Sequence, residues 1–240
     1  MSQNQRPSTS DVVTLLAQGD IAVEGQIPWS SNYTFFVKVS SAADELAAVY
    51  KPQRGEQPLH DFPAGLQIRE RATFVLSESL DWSVVPETVV RKNAPLGEGS
   101  LQRAIVDADQ NENYFNFREE DELLDQLRKI TVFDLLANNA DRKAGHILRD
   151  AENHLWAIDN SLCFHAQDKL RTVMWDFTDE ELPAQLKKDV RNWIDRVPNE
   201  LGELLSSLEY DALLTRANAL VESTNFPSPD SDWRFPWPLV

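Results

Sequence analysis

The chain contains one cysteine, Cys163, in 240 residues. A single thiol forms no internal disulfide, so the core must hold the fold, as suits a reducing compartment. Its frame, SLCF, is apolar, which reads as a small core residue and not as a nucleophile. Basic residues are scarce too: 23 Lys and Arg stand against 39 Asp and Glu, a formal net charge of -16. Phosphate-backbone binding needs a basic surface, so nucleic acid is not expected as a partner. The same balance argues against stable membrane association through anionic lipid. No apolar run approaches a membrane span, and the opening MSQNQRPSTSD lacks the hydrophobic segment of a secretion signal. A cytoplasmic chain is expected. Internal repeats are missing as well, which excludes a solenoid.

What is present points to a folded α+β protein. Hydrophobic residues make up 42%, with seven tryptophans. Residues 1–8 read as a disordered leader, and Ser10 and Asp11 as caps of a short helix closed by Gly19. IAVEGQI, YTFFVKV and LAAVYKP alternate like strands and form an antiparallel meander. Apolar residues at helical spacing follow from Leu66 to Leu80, then two strands, VPETVV and SLQRAIVDA, around Gly97 and Gly99. The acidic stretch Asp107 to Glu122 reads as a surface connection. Beyond it come an amphipathic helix, Leu123 to Leu136, a short hairpin of HILRD and HLWAID, and three helical segments. The tail FPSPDSDWRFPWPLV is too irregular for a helix and is expected across the surface. The order gives a small β-rich lobe over residues 9–106 and a mainly helical lobe over 107–240, with a ligand cleft between them.

Three positions carry the chemistry. Lys51 ends a strand of small and apolar residues, and Glu70 lies on the next helix in IRERA. Phosphotransferases hold a phosphate-binding lysine by such a pair, although Arg69 and Arg71 flank Glu70 and could be its partners instead. Asp159 closes the apolar run WAI, where a carboxylate is costly unless it is paired or ligates a cation. Magnesium, bound by one or two carboxylates and substrate phosphates, satisfies it. Asp141 opens the turn DRKAG one hairpin away, and two neighbouring carboxylates need a cation between them.

The segments AVYKP, IRERA, GSLQRAIV, NNADRKAGH and AIDNSLCF, in this order, resemble the phosphatidylinositol 3-/4-kinase-like family. The likeness is to its type II phosphatidylinositol 4-kinase branch and bacterial relatives, and runs from about Gly25 to Trp175. It implies a two-lobed protein-kinase-like fold, with a small antiparallel β-rich N-lobe, a mainly helical C-lobe and ATP between them. Lys51 would contact phosphate with Glu70 as its helix partner, and Ser30, Ser31 and Asn32 would form the loop over the phosphates. Gln102, Arg103, Ala104, Ile105 and Val106 would line the adenine linker. Asp141 would be the catalytic-loop aspartate, with Arg142 and Lys143 stabilising charge, and Asp159 together with His146 would hold magnesium or manganese.

Two departures accompany the likeness. His146 stands where kinases place an asparagine for the second metal, and the tip PWSSN lacks glycine. An active phosphotransferase and a nucleotide-binding pseudokinase that acts as a regulator or scaffold are therefore both carried forward. The acceptor could be a lipid, a small molecule or, as in HipA-type kinases, a protein. A zinc hydrolase is disfavoured because His146, His154, Asp159 and His165 lack a recurring ligand spacing. GEGSL is neither a nucleophile elbow nor a dinucleotide fingerprint, because a strand follows it.

Overall fold

The computed structural model describes residues 8–28, 33–59 and 61–240. Its first element, α1 (Thr9–Gln18), is capped one turn earlier than the sequence suggests. The Ser8 hydroxyl accepts from the Asp11 amide at 3.3 Å, because the capping oxygen must precede the first free N–H groups. At the other end, Arg91 Nη1 donates to the carbonyls of Leu16 and Gly19, filling acceptors that the helix leaves open.

Five antiparallel strands follow, β1 (Asp20–Gln26), β2 (Phe35–Ser40), β3 (Glu45–Pro52), β4 (Thr88–Arg91) and β5 (Gly99–Arg103), in the order β1-β2-β3-β5-β4. On β3 the period-two pattern sends Ala48 and Tyr50 into the sheet core, packed on Val12 and Leu16 of α1. Lys51 therefore emerges on the opposite face, from the middle strand of the sheet. Gly99 is a strand residue, not part of the turn. Its α-carbon passes so close to β3 that an added Cβ would meet the Lys51 carbonyl and lie 2.7 Å from Pro52 Cα.

Between β3 and β4 runs α2 (Leu66–Ser79), which belongs to the main core and not to the sheet core. A buried and a half-buried arginine fasten it to the helical lobe: Arg69 pairs with Glu209 and donates to the Cys163 carbonyl, and Arg71 reaches Glu200 at 2.8 Å. The helical lobe contains α3 (Tyr114–Phe117), α4 (Leu124–Ala137), the hairpin β6 (Ile147–Arg149) and β7 (Leu155–Ala157), then α5 (Ala184–Ile194), α6 (Asn199–Leu204) and α7 (Ser207–Glu222). The stretch 107–122 is not merely a surface connection. Tyr114 and Phe117 are fully buried, and the acidic residues around them masked that anchor. Ser206 splits the expected second helical segment by capping α7.

The tail returns to the hairpin. Thr172 N donates to the Arg234 carbonyl and Ala144 N to that of Leu239, whereas Trp233 and Trp237 stay exposed. Among the described residues, no helix is long and apolar enough to cross a membrane.

The close passage at Gly99 generates a direct expectation. Gly99→Ala should cost about 1–3 kcal/mol of stability by forcing β5 away from β3, read as a lower urea midpoint. An unchanged midpoint would show that the strands separate freely at this point.

Candidate functional site

The geometry centres on the Lys51 ammonium. Its Nζ lies 2.6 Å from Glu70 Oε1 and 2.7 Å from Asp159 Oδ1. Glu70 is buried and accepts the Asn160 amide on Oε2 at 3.3 Å, so one carboxylate holds both a strand of the upper lobe and a loop of the lower one. Burial alone would lower the lysine pKa. The charges of Asp159 and Glu70 outweigh it and hold the ammonium charged above the ordinary lysine range. Burial would raise the Asp159 carboxyl, but Lys51 foremost, then His146 and Lys143, keep it below the usual carboxylate range.

Asp159 follows β7 with a left-handed φ of 54°, a conformation that a non-glycine residue adopts at some cost. Its side chain is 44% exposed and faces open cleft. His146 Nε2 stands 3.5 Å from Asp159 Oδ2, and His146 Nδ1 accepts the Lys143 amide at 3.4 Å. That second contact places the neutral ring's proton on Nε2, toward Asp159. Burial, only partly opposed by Asp159, lowers the imidazole pKa to about 4.

Asp141 begins the loop after α4. Asn138 ends the helix with a left-handed φ of 53°, and the Asn139 side chain accepts the Asp141 amide at 2.9 Å. The Asp141 carboxylate lies 3.3 Å from Lys143 Nζ. Burial raises its pKa, Lys143 opposes that, and the charge of Asp159 adds to the rise. A carboxylate poised in this way is suited to accept a proton.

Arg142 requires a correction. It was expected to stabilise charge in the cleft, but its side chain is wholly buried beneath the loop. Nε and Nη2 grip both oxygens of Asp134 at 2.8 and 2.9 Å, Nη1 donates to the Ile158 carbonyl, and Nη2 also reaches Asn160 Oδ1 at 2.6 Å. The guanidinium thus ties α4 to the strand end that carries Asp159, and it has no face left for a ligand. Sequence reasoning missed Asp134, Asn139 and Asn160. The available signal was a lone carboxylate, Asp134, inside the apolar run VFDLLA.

The linker residues divide. Gln102 and Arg103 belong to β5, where Gln102 pairs with Val49 and Thr88 and the Arg103 amide donates to the Glu87 carbonyl; the Arg103 side chain pairs with Glu87 at 2.5 Å and stacks over Trp156. The Ala104 amide is spent on the Ala47 carbonyl. Among the described residues, the amides of Ile105 and Val106 have no backbone acceptor. Ser30, Ser31 and Asn32 lie outside the described residues.

Among the described residues, no group of three or more His, Cys, Asp or Glu side chains could hold a metal alone. Asp159 offers a charged oxygen toward the cleft, the donor type that magnesium takes alongside substrate phosphates. His146 could join only by moving its ring proton and giving up the Lys143 contact.

The sequence model of phosphatidylinositol 3- and 4-kinases matches residues 64–225. The chain belongs to the phosphatidylinositol 3- and 4-kinase family. Within this family member, Glu70, Asp141, His146 and Asp159 fall inside the matched span, and Lys51 precedes it. The chain is similar to Protein Rv2133c of Mycobacterium tuberculosis, at 33% identity over 95% of each chain. Its fold is similar to a Hydra Fam20 structure with sugar (TM-score 0.57, 14% identity, 92% of this chain and 90% of that one). It is also similar to a Golgi casein kinase with Mn/ADP bound (TM-score 0.57, 14% identity, 89% and 74%). These likenesses establish the two-lobed kinase-like fold.

Asp134→Ala should strip Arg142 of its buried counter-charge and destabilise the protein by about 3–5 kcal/mol, measured by urea unfolding. A loss under about 1 kcal/mol would mean that water reaches the guanidinium.

A second expectation concerns pH in the metal- and nucleotide-free protein. Folded His146 protonates near pH 4, whereas the unfolded chain takes that proton near 6.5. In this window the unfolded state binds more protons, so stability is full above 6.5 and falls as the pH drops toward 4. As the pH falls from 6.5 to 4, the thermal midpoint of wild type should drop further than that of His146→Asn, and parallel curves would show that another group titrates.

Proposed function

We propose that this protein is an ATP-dependent phosphotransferase that uses magnesium or manganese and acts on an acceptor hydroxyl. The observation that carries the reading is the Lys51 ammonium fixed between Glu70 and Asp159, with Asp141 on the neighbouring loop. Phosphate oxygens would replace Asp159 against Lys51, and the amides of Ile105 and Val106 are free for the adenine edge. Asp159, with His146 beside it, would hold the cation, which would neutralise charge on the phosphates. Asp141 would orient the acceptor hydroxyl and take its proton, while Lys143 steadies the resulting charge. Such catalysis consists of positioning and charge neutralisation. The kinase-like fold and the manganese and ADP of the Golgi casein kinase structure support the reading.

One observation favours a second reading, nucleotide binding without turnover. The His146 proton faces Asp159 and opposes metal ligation by that ring.

Purified protein incubated with labelled ATP, magnesium or manganese, and a cell lysate separates the two. The enzyme reading expects cation-dependent transfer of label to protein, lipid or small-molecule fractions. Asp141→Ala should reduce it about 10²- to 10⁴-fold while nucleotide binding persists, and Lys51→Met should weaken nucleotide binding itself. ATP binding with no transfer supports the second reading; no ATP binding overturns both.

A further inference from the structure

A cavity of about 580 Å³ opens in the helical lobe, away from the cleft, and neither Lys51, Asp141 nor Asp159 lines it. Its walls come from the end of α4, the segment 166–170, α7 and the start of the tail. Leu135, Leu170, Trp175, Leu182 and Leu220 make it mainly apolar, and its size is that of a small-molecule site. Arg216, on α7, lines it as well.

Arg216 differs from Arg234 in its pairing. Arg234, on the same cavity, is saturated by both oxygens of Asp168 and by Asp230. Arg216 has one firm bond, from Nε to the Leu136 carbonyl at 2.9 Å, and one at the 3.5 Å limit, from Nη1 to the His165 carbonyl. Its Nη2 is buried without any partner, and no carboxylate pairs with the guanidinium among the described residues. The nearby Cys163 thiol supplies no counter-charge, because burial pushes its pKa well up. The same desolvation lowers the Arg216 pKa to about 10. Asp168, on the same cavity, acts on Arg216 only through space, because both of its oxygens are held by Arg234. A largely desolvated cation without a paired carboxylate is unfavourable, and an anion brought to it offsets that cost.

We infer that this cavity binds a small amphiphilic anion, with a carboxylate or phosphate-monoester head on Arg216 and an apolar body against Leu135, Trp175 and Leu220. The head would take up the unpartnered Nη2 and the Nη1 that is held only at the 3.5 Å limit. The cavity also touches what positions the cleft. Asn138 lines it, and its Nδ2 donates to the carbonyls of His165 and Gln167, on the loop that follows Asp159.

Sodium octanoate, octyl phosphate and uncharged octanol, titrated calorimetrically into the full chain without nucleotide, test the site. Saturable one-to-one binding of octanoate or octyl phosphate is expected, at least tenfold tighter than octanol, with a raised unfolding temperature. Which anion binds tells a carboxylate ligand from a phosphorylated one. Arg216→Gln should weaken the anion at least tenfold and leave octanol nearly unchanged. Ala219→Phe fills the cavity from an exposed helix position, so the fold should survive, and should abolish binding of all three. Saturable binding of neither anion, equal affinity for octanol, or an unaffected Arg216→Gln variant would each overturn the site. None of these readouts uses phosphotransfer, so the outcome stands apart from the fate of the kinase reading.

Discussion

One ammonium group organises the cleft. Lys51 contacts a carboxylate from α2 and another from the loop after β7, so three elements meet at a single nitrogen. The linkage continues inward. Glu70 takes the Asn160 amide, the Asn160 side chain takes Arg142 Nη2, and Arg142 clasps Asp134 on α4. A continuous run of charge-assisted hydrogen bonds thus crosses from the sheet to the floor of the helical lobe. Buried networks of this kind are rigid when every member is satisfied, and unstable when one is removed. In a chain with a net charge of -16, two of its few cations, Arg69 and Arg142, are drawn inside, where they hold the Cys163 and Ile158 carbonyls.

The contact between Lys51 and Asp159 also sets a condition on any ligand. Asp159 has an open side, but its Oδ1 is engaged by the lysine. On the proposed reading, a phosphate would replace the carboxylate at Lys51 and a cation would receive the carboxylate so released. The phosphate alone would set Asp159 against a second anion, which is costly in a partly buried site, whereas Lys51 keeps Glu70 in either case.

Much of this arrangement was legible from local pattern. Strand alternation around Tyr50 sets the side on which Lys51 emerges, and the apolar frame of WAID marks Asp159 as a residue in need of a partner. What was hidden required three-dimensional proximity. Arg142 reads as a polar turn residue, yet its four acceptors come from residues 134, 158 and 160, which only the hairpin brings together. Gln102 and Arg103 read as part of the linker, but both are β5 residues whose backbone faces β3, β4 and Glu87, pairings that sequence alone does not reveal. Tyr114 and Phe117 were concealed by flanking acids, because charge content reports the outer face of a short helix and not the two rings that it buries.

The tail contact has a consequence for the timing of assembly. The Ala144 amide beside the DRK turn is answered by the Leu239 carbonyl, from the far end of the helical lobe. Chain leaving a ribosome contains the turn long before it contains its acceptor. Pairings of such wide sequence separation form late, after the entropy of closing the intervening chain has been met. The backbone pairing of the turn that carries Asp141 and Lys143 is therefore completed only after residue 239 has been made.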